Sequence, residues 1–311
     1  MSFHRFSTHC MSTTFEVLIV HEKKGYALQA ANAVFSRWLY LENLLSRFID
    51  SSEIAGLNRL QPGEIFKLTQ ETWEVLTLAF DLYVATEGRF DISYRSRKQP
   101  SGKSALDSLL LSAVSETVNE WPFMASVISG EQTSRWSGLN LDLGGIGKGY
   151  ALDKATEILE EWGVENYLLN CGTSTILVCG AGPENQGWPV GVGGDALSGE
   201  AGVVRLWGGA ISGSGPQVKG RHHIDPSVGK PAELYDGVWA YAPTAAISDA
   251  LSTAAIVSPP HQIEAQMDRV SFLGGTPLMH RCGILTTTQM HHHWEIQNYS
   301  FHEAIAGDRT E

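Results

Sequence analysis

Leu139-Asn-Leu-Asp-Leu-Gly-Gly-Ile-Gly-Lys-Gly-Tyr-Ala-Leu-Asp-Lys-Ala155 is the stretch on which the reading of this chain turns. Leu139, Leu141 and Leu143 alternate with Asn140 and Asp142, the period of a strand. Four glycines then fall within six residues, at 144, 145, 147 and 149. A helical pattern follows to about Trp162, with Gly163 as the expected stop. Strand, glycine turn and helix together let bare backbone approach a ligand. The helix end adds free N–H groups and about half a positive charge, which suits a phosphate. The spacing is not that of a P-loop, because Lys148 is followed by Gly149, and G-x-G-x-x-G is absent. Spacing alone leaves two readings open, a phosphate cradle and a tight strand-to-helix turn.

Upstream, Thr13 to Val20 alternates through Phe15, Val17 and Ile19 as a strand, and Gly25 ends it. Residues 26–46 carry Leu28, Ala31, Phe35, Trp38, Leu41 and Leu45 at steps of three and four, an amphipathic helix. Ser51 and Ser52 introduce a short helical turn leading to Asn58. A strand at 65–68 precedes a helix at 70–87, capped by Thr69, with Trp73, Leu76, Phe80 and Tyr83 inward. Residues 89–93 read as an ordered turn or short strand. The polar, basic segment 94–104 reads as a mobile loop. A short helix at 105–113 and a hairpin from 125–128 and 133–136 lead into the glycine stretch.

Downstream, strands are expected at 167–171, 176–179, 188–192, 203–207 and 238–242, and 209–216 reads as a strand entering a loop. Residues 221–231 read as a loop with an Asp-Pro turn. A helix spans 247–257 and stops at Pro259-Pro260. A last helix at 261–268 and strands near 270–273 and 283–287 precede a polar C-terminus. Helices and strands mix without strict alternation. The expected class is α+β, with mixed or antiparallel sheets and packed helices in a single domain over 1–311.

The composition is that of a soluble globular protein. The formal net charge of −12 argues against a nucleic-acid surface and against an anionic membrane surface. Anionic ligands then need local backbone donors, a few cations or a metal. Cys10, Cys171, Cys179 and Cys282 form no C-x-x-C pair and read as reduced thiols. Neither a signal peptide nor a membrane span is visible, so a cytoplasmic protein is expected.

Within 247–257, Asp249 and Thr253 stand at i and i+4, with Ser252 beside them, so their oxygens share a helix face. Carboxylate plus hydroxyl is a hard-ligand pair for Mg²⁺. The plainer reading is a dipole-stabilised Asp and a Thr bonded to its own helix. His222 and His223 precede the Asp-Pro turn, where a histidine contacts a phosphate, shuttles a proton or simply satisfies loop backbone. Phe48 and Phe90-Asp91 each follow a helix, where an aromatic stacks on a flat ring or packs in the core. Met11 before the first strand has the same two readings. His291-His292-His293 reads as a transition-metal cluster or as a solvated tail. Gly213-Ser214-Gly215 lacks the spacing of a nucleophile elbow.

Taken together these blocks resemble one family. They are Met11-Ser12-Thr13-Thr14-Phe15, Leu45-Ser46-Arg47-Phe48 with Ser52-Glu53-Ile54 and Leu57-Asn58, Gly88-Arg89-Phe90-Asp91, and Leu141 to Tyr150. Asn170-Cys171-Gly172-Thr173-Ser174, Gly213-Ser214-Gly215, His222-His223-Ile224-Asp225-Pro226 with Gly229 and Pro231, and Asp249-Ala250-Leu251-Ser252-Thr253 follow in the family's order. The family is the FAD:protein FMN transferases (ApbE), and the likeness covers about residues 11–257. It implies binding of FAD and Mg²⁺, cleavage of the pyrophosphate, transfer of FMN to a Ser or Thr hydroxyl of a target protein, and release of AMP. It also implies that Asp249, Thr253 and the main-chain carbonyl of Gly147 hold the metal. Met11, Phe48, Arg89, Phe90, Asp91, Gly144, Tyr150 and His223 would line the FAD site. His222 would contact phosphate or transfer a proton.

The sequence departs from the family where Gly147 replaces the usual Ala, Ser12 a Gly, Thr173 a Gly, and Ile92-Ser93 the usual Pro-Thr. Segment 94–104 is short and basic. Many relatives are exported lipoproteins, whereas the missing signal here reads as a cytosolic flavinylator or as an incomplete start. An FAD pyrophosphatase and a non-catalytic FAD-binding protein are the alternatives, and intact Asp249 and Thr253 weigh against the last.

Overall fold

The computed structural model describes residues 2–60, 65–94, 124–126, 140–192, 202–216, 223–226, 228–273, 282–290 and 293–299. The chain begins with β1 (Phe3–Cys10), β2 (Thr13–Val20), α1 (Lys24–Leu45), α2 (Glu53–Arg59), β3 (Ile65–Lys67), α3 (Gln70–Ala85) and β4 (Met124–Ser126). It continues with α4 (Gly147–Glu161), β5 (Tyr167–Cys171), β6 (Thr175–Cys179), β7 (Trp188–Val192), β8 (Gly202–Leu206) and β9 (Gly208–Ser214). It closes with β10 (Ile224–Asp225), β11 (Lys230–Pro231), β12 (Gly237–Ala242), α5 (Ala245–Ala255), α6 (Pro260–Val270), β13 (Gly283–Met290) and β14 (His293–Tyr299).

Eight strands make the main sheet in the order β1-β2-β5-β6-β9-β12-β13-β14. Every neighbouring pair in it is antiparallel, so the α+β class holds and the sheet is antiparallel rather than mixed. Central strands bury both faces. Leu169, Leu177, Ala210 and Ala240 point into the helical core. Their neighbours Leu168, Val178, Ile211 and Tyr241 pack under the β7–β8 hairpin, against Trp188, Val190, Val192 and Leu206. That double burial makes β5 read as a continuous apolar run.

Helices α1, α4 and α5 cover the first face. Their contact surfaces are small: Ala27, Ala30 and Ala31 on α1, Ala151 and Ala155 on α4, and Ala245, Ala246, Ala250 and Ala254 on α5 are all buried. Small side chains let helix axes approach closely. Trp38 fills the remaining space, edge-on to Phe15 at 4.8 Å, and donates its indole N–H to the Ala151 carbonyl at 2.9 Å.

Asp153 of α4 caps α5 across this interface. Its carboxylate accepts the N–H groups of Ala245 at 2.7 Å and Ala246 at 2.9 Å. Burial pushes the Asp153 carboxyl up to about 7, against the pull of those two donors. The folded protein therefore holds this proton more tightly than the unfolded chain, whose carboxyl titrates near about 3.9. The group's contribution to stability is fully present below that lower value and is lost as pH rises through about 7. In thermal unfolding, the advantage of wild type over Asp153→Asn is expected to shrink as pH rises through this window. A widening gap would contradict the assignment. Asp153→Ala leaves the Thr244 cap in place but strips the Ala245 and Ala246 N–H groups of their acceptor, and is expected to cost about 1 kcal/mol.

Several expectations need correction. Residues 3–10 form a strand, β1, which pairs with β2 across a two-residue turn at Met11 (φ 48°) and Ser12 (φ 62°). Both turn residues are left-handed, the geometry of a type I′ hairpin. Gly25 lies inside α1 rather than ending the strand, and Leu28 is 42% exposed because the helix packs on its alanines instead. Helix α3 buries Thr72, Val75, Leu76, Ala79, Leu82 and Ala85, leaving Trp73, Phe80 and Tyr83 partly buried at its flanks.

Residues 140–143 belong to no strand. The Asn58 side chain takes the place of a partner strand, donating to the Leu141 carbonyl at 3.0 Å and accepting the Leu141 N–H at 2.6 Å. Strand β4 pairs with β3, and the remainder of the expected hairpin, 127–128 and 133–136, lies outside the described residues. So do residues 95–104, the helix expected at 105–113, and His291 and His292. Residues 270–273 end α6 and turn, rather than forming a strand. The polar segment from His293 is strand β14, not a loose tail. Within the expected loop at 221–231, β10 and β11 form a small hairpin.

Candidate active site

A cleft of about 560 Å³ opens at the end of the sheet. That is the size of a small-molecule site. The turn after α3 supplies Arg89, Phe90 and Asp91, the glycine turn supplies Gly144, Gly145 and Lys148, and α5 supplies Asp249 and Thr253. Ser174, Gly213 and Trp239 close the sheet side.

Asp249 is the central group. Its residue surface is only 3% exposed. One carboxylate oxygen accepts the Gly149 N–H at 3.3 Å and the other the Ser174 hydroxyl at 3.4 Å. The Lys148 ammonium stands 3.7 Å away. All three contacts are long for hydrogen bonds to a charged group, which usually close to about 2.7–2.9 Å. Burial is the largest single influence and works to lower the Lys148 pKa, but its negative neighbours, Asp249 foremost, together outweigh it and the net direction is upward. Lys148 stays protonated.

Thr253 donates its hydroxyl proton to the Asp249 carbonyl at 3.0 Å, the bond to its own helix that the plainer reading expects. Thr253 is among the residues lining the cleft, and a hydroxyl oxygen that has donated its proton keeps lone pairs to offer. Ser252 points elsewhere: it is buried against β9 and shares a 2.9 Å bond with Ser214. Gly145 covers the Thr253 hydroxyl so closely that a Cβ there would lie 2.9 Å from Thr253 Oγ1. Gly149 presses on the start of α5, where a Cβ would fall 2.2 Å from the Ala245 carbonyl oxygen.

The glycine turn is tied on its outer side as well. Asp142 accepts the Gly144 N–H at 3.0 Å and pairs with Arg47 at 3.2 Å. The Arg47 guanidinium lies 4.0 Å from the ring centre of Phe48, which is 77% exposed. Across the cleft, Arg89 donates to both oxygens of Asp225 at 3.1 Å and to the Val257 carbonyl at 3.3 Å. This links the segment carrying His223 to the end of α5. Asp91 is buried and accepts the N–H and hydroxyl of Ser93.

A model of the ApbE family matches residues 11–272 of this sequence. The chain belongs to the ApbE family. An FAD:protein FMN transferase of Klebsiella pneumoniae is 25% identical over 270 residues, 80% of this chain and 76% of that one. A second, from Buchnera aphidicola, is 21% identical over 154 residues, and the chain spans 45% of its length. The apo crystal structure of Pseudomonas stutzeri flavinyl transferase ApbE matches with a TM-score of 0.76 at 19% identity, covering 98% of this chain and 97% of that one. At that identity the likeness carries the fold.

In this ApbE-family enzyme the expected site residues divide. Arg89, Phe90, Asp91, Gly144, His223, Asp249 and Thr253 line one cleft. Gly147 is buried at the first position of α4, next to that lining. Met11, Phe48 and Tyr150 are not among the lining residues. Met11 sits in the β1–β2 turn, where its N–H reaches Glu42 at 2.8 Å. Tyr150 is buried and donates to Glu74 at 2.8 Å. His222 lies outside the described residues. Lys148, Ser174 and Trp239 were not singled out from sequence. Lys148 stands inside the glycine stretch and Ser174 ends the Asn170–Ser174 block, so their positions were the available signals; Trp239 carried none. Among the described residues there is no cluster of three or more His, Cys, Asp or Glu. No described helix is long and apolar enough to cross a membrane.

Proposed function

We propose that this protein transfers FMN from FAD to a Ser or Thr hydroxyl of a target protein and releases AMP. The observation that carries the reading is the Asp249 carboxylate, nearly buried, lining the cleft with long contacts only, beside a hydroxyl oxygen and a glycine turn.

That donor set fits Mg²⁺. Carboxylate, hydroxyl and main-chain carbonyl are hard oxygens, and Mg²⁺ commonly takes one or two carboxylates with the rest from substrate phosphate and water. Asp249, Thr253 and the Gly147 carbonyl would hold it. Bound there, it would polarise the pyrophosphate and offset charge on the departing AMP.

The chain's own residues do the remaining work. Backbone at Gly144 and Gly145 borders the cleft without side chains and admits the phosphates closely. Lys148 adds a fixed positive charge where phosphoryl transfer spreads negative charge over oxygens. Phe90, Asp91 and His223 line the space for the rest of FAD, and the bond from Arg89 to Asp225 holds the His223 segment in place. His222 or His223 is the candidate for moving the acceptor's proton.

The test is direct. Protein, FAD, MgCl₂ and a Ser/Thr-bearing acceptor protein should yield a fluorescent acceptor band that survives denaturation, with one AMP per flavin attached. AMP without a labelled acceptor would identify an FAD pyrophosphatase instead. Tight FAD binding with neither product would identify a binding protein.

A further inference from the structure

Lys148 is the second residue of α4, and a cation in the first turn of a helix opposes the helix dipole. Local partners must therefore hold it. Its ammonium donates to the Gly144 carbonyl at 2.9 Å and faces Asp249 at 3.7 Å, and its side chain is 18% exposed. Asp249 in turn is a carboxylate that burial would penalise heavily without a neighbouring cation. The two charges need one another. Yet the pair is loose, longer than an ordinary charge-assisted bond, and lysine's flexible stem makes the ammonium easy to move.

We propose that Lys148 is the built-in counter-ion of Asp249, competing with the divalent cation for that carboxylate until a diphosphate ligand takes the ammonium over. The inference rests on the reading of Asp249 and Thr253 as metal ligands. Formally, Lys148 and Asp249 sum to zero. A divalent cation alone leaves this pair with two surplus positive charges at close range, which is locally unfavourable even though Asp91, Asp142 and Asp236 also line the cleft. The diester pyrophosphate of FAD brings two negative charges and restores balance. Cation and diphosphate therefore assist one another, and each must raise the affinity of the other by the same factor. The displaced ammonium has somewhere to go, because Lys148 also lines the cleft.

Calorimetric titration of Mg²⁺ without FAD, on wild type and Lys148→Met, tests this. The neutral side chain of similar length removes the competitor, so Mg²⁺ is expected to bind about tenfold more tightly. FAD in saturating Mg²⁺, followed by flavin fluorescence, is expected to bind about tenfold more weakly. The factor by which FAD improves Mg²⁺ affinity therefore falls towards one. Lys148→Arg keeps the charge and should retain most of the wild-type coupling. Circular dichroism verifies folding, and Lys148→Gln serves if the Met variant fails to fold.

Mg²⁺ affinity that is unchanged or weaker in the neutral variants overturns the inference. If wild type still transfers FMN in that case, the functional reading stands alone. Absence of FMN transfer by wild type, with the calorimetric coupling present, overturns the functional reading and leaves the counter-ion role intact. Absence of Mg²⁺ binding by wild type overturns the inference and the metal assignment together.

Discussion

Asp249→Asn is expected to lower kcat/KM for FMN transfer by about 10³-fold or more, with the fold retained. Asparagine keeps the volume and an acceptor oxygen for the Gly149 N–H or the Ser174 hydroxyl, so α5 can stay seated against α4. What it loses is the charge. Lys148 then has no buried carboxylate to face, and a divalent cation has only neutral oxygens at Thr253 and Gly147. AMP release and acceptor labelling should disappear together, while thermal unfolding moves by only a few degrees. A variant that keeps a tenth or more of wild-type activity would sink Asp249 as the carboxylate that holds the metal.

Gly149→Ala is expected to be the most damaging single-methyl change in the helical layer. The added Cβ would lie 2.2 Å from the Ala245 oxygen, 2.5 Å from its carbonyl carbon and 2.7 Å from the Ala246 nitrogen. All three are backbone atoms, so no side-chain rotation relieves the overlap and α4 must move off α5. The cost is about 3 kcal/mol, or about 5 °C in Tm for a chain of 311 residues. Activity should fall even below the new Tm, because the same movement draws the glycine turn away from Asp249. Gly25→Ala is the control: it lies in α1 with nothing within 4 Å and should be neutral or slightly stabilising. Equal stability of the two variants in denaturant titrations would refute the close approach.

The glycine turn and helix α5 were legible in the sequence because each has its own local signature. Glycine density marks a turn, and an i, i+4 pair of oxygens marks a face. The antiparallel sheet was legible strand by strand in its interior, where both faces are apolar. Its edges were not. The inward-facing side of β1 carries His4, Thr8 and Cys10 with a single Phe6 and shows no hydrophobic period, and β14 offers only Trp294 and Ile296 among polar neighbours. Helix α1 was placed correctly, with Ala31, Trp38, Leu41 and Leu45 buried as expected, but Leu28 is exposed and the closest packing falls also on Ala27 and Ala30, which a count of large residues passes over. The roles of Asn58 and Asp153 had no local signal at all. One side chain imitates a strand for Leu141, 83 residues away, and the other caps a helix 92 residues away.

Helices α4 and α5 exchange one grip each: Asp153 holds the start of α5, and Asp249 holds the Gly149 N–H. The partners are 92 and 100 residues apart in the chain. Contacts so distant form late, after the loop between them has closed. During synthesis, a nascent chain that already displays the glycine turn has no carboxylate opposite it until α5 has emerged and docked. The site is thus withheld from any partly made polypeptide, and catalytic competence becomes a measure of finished folding.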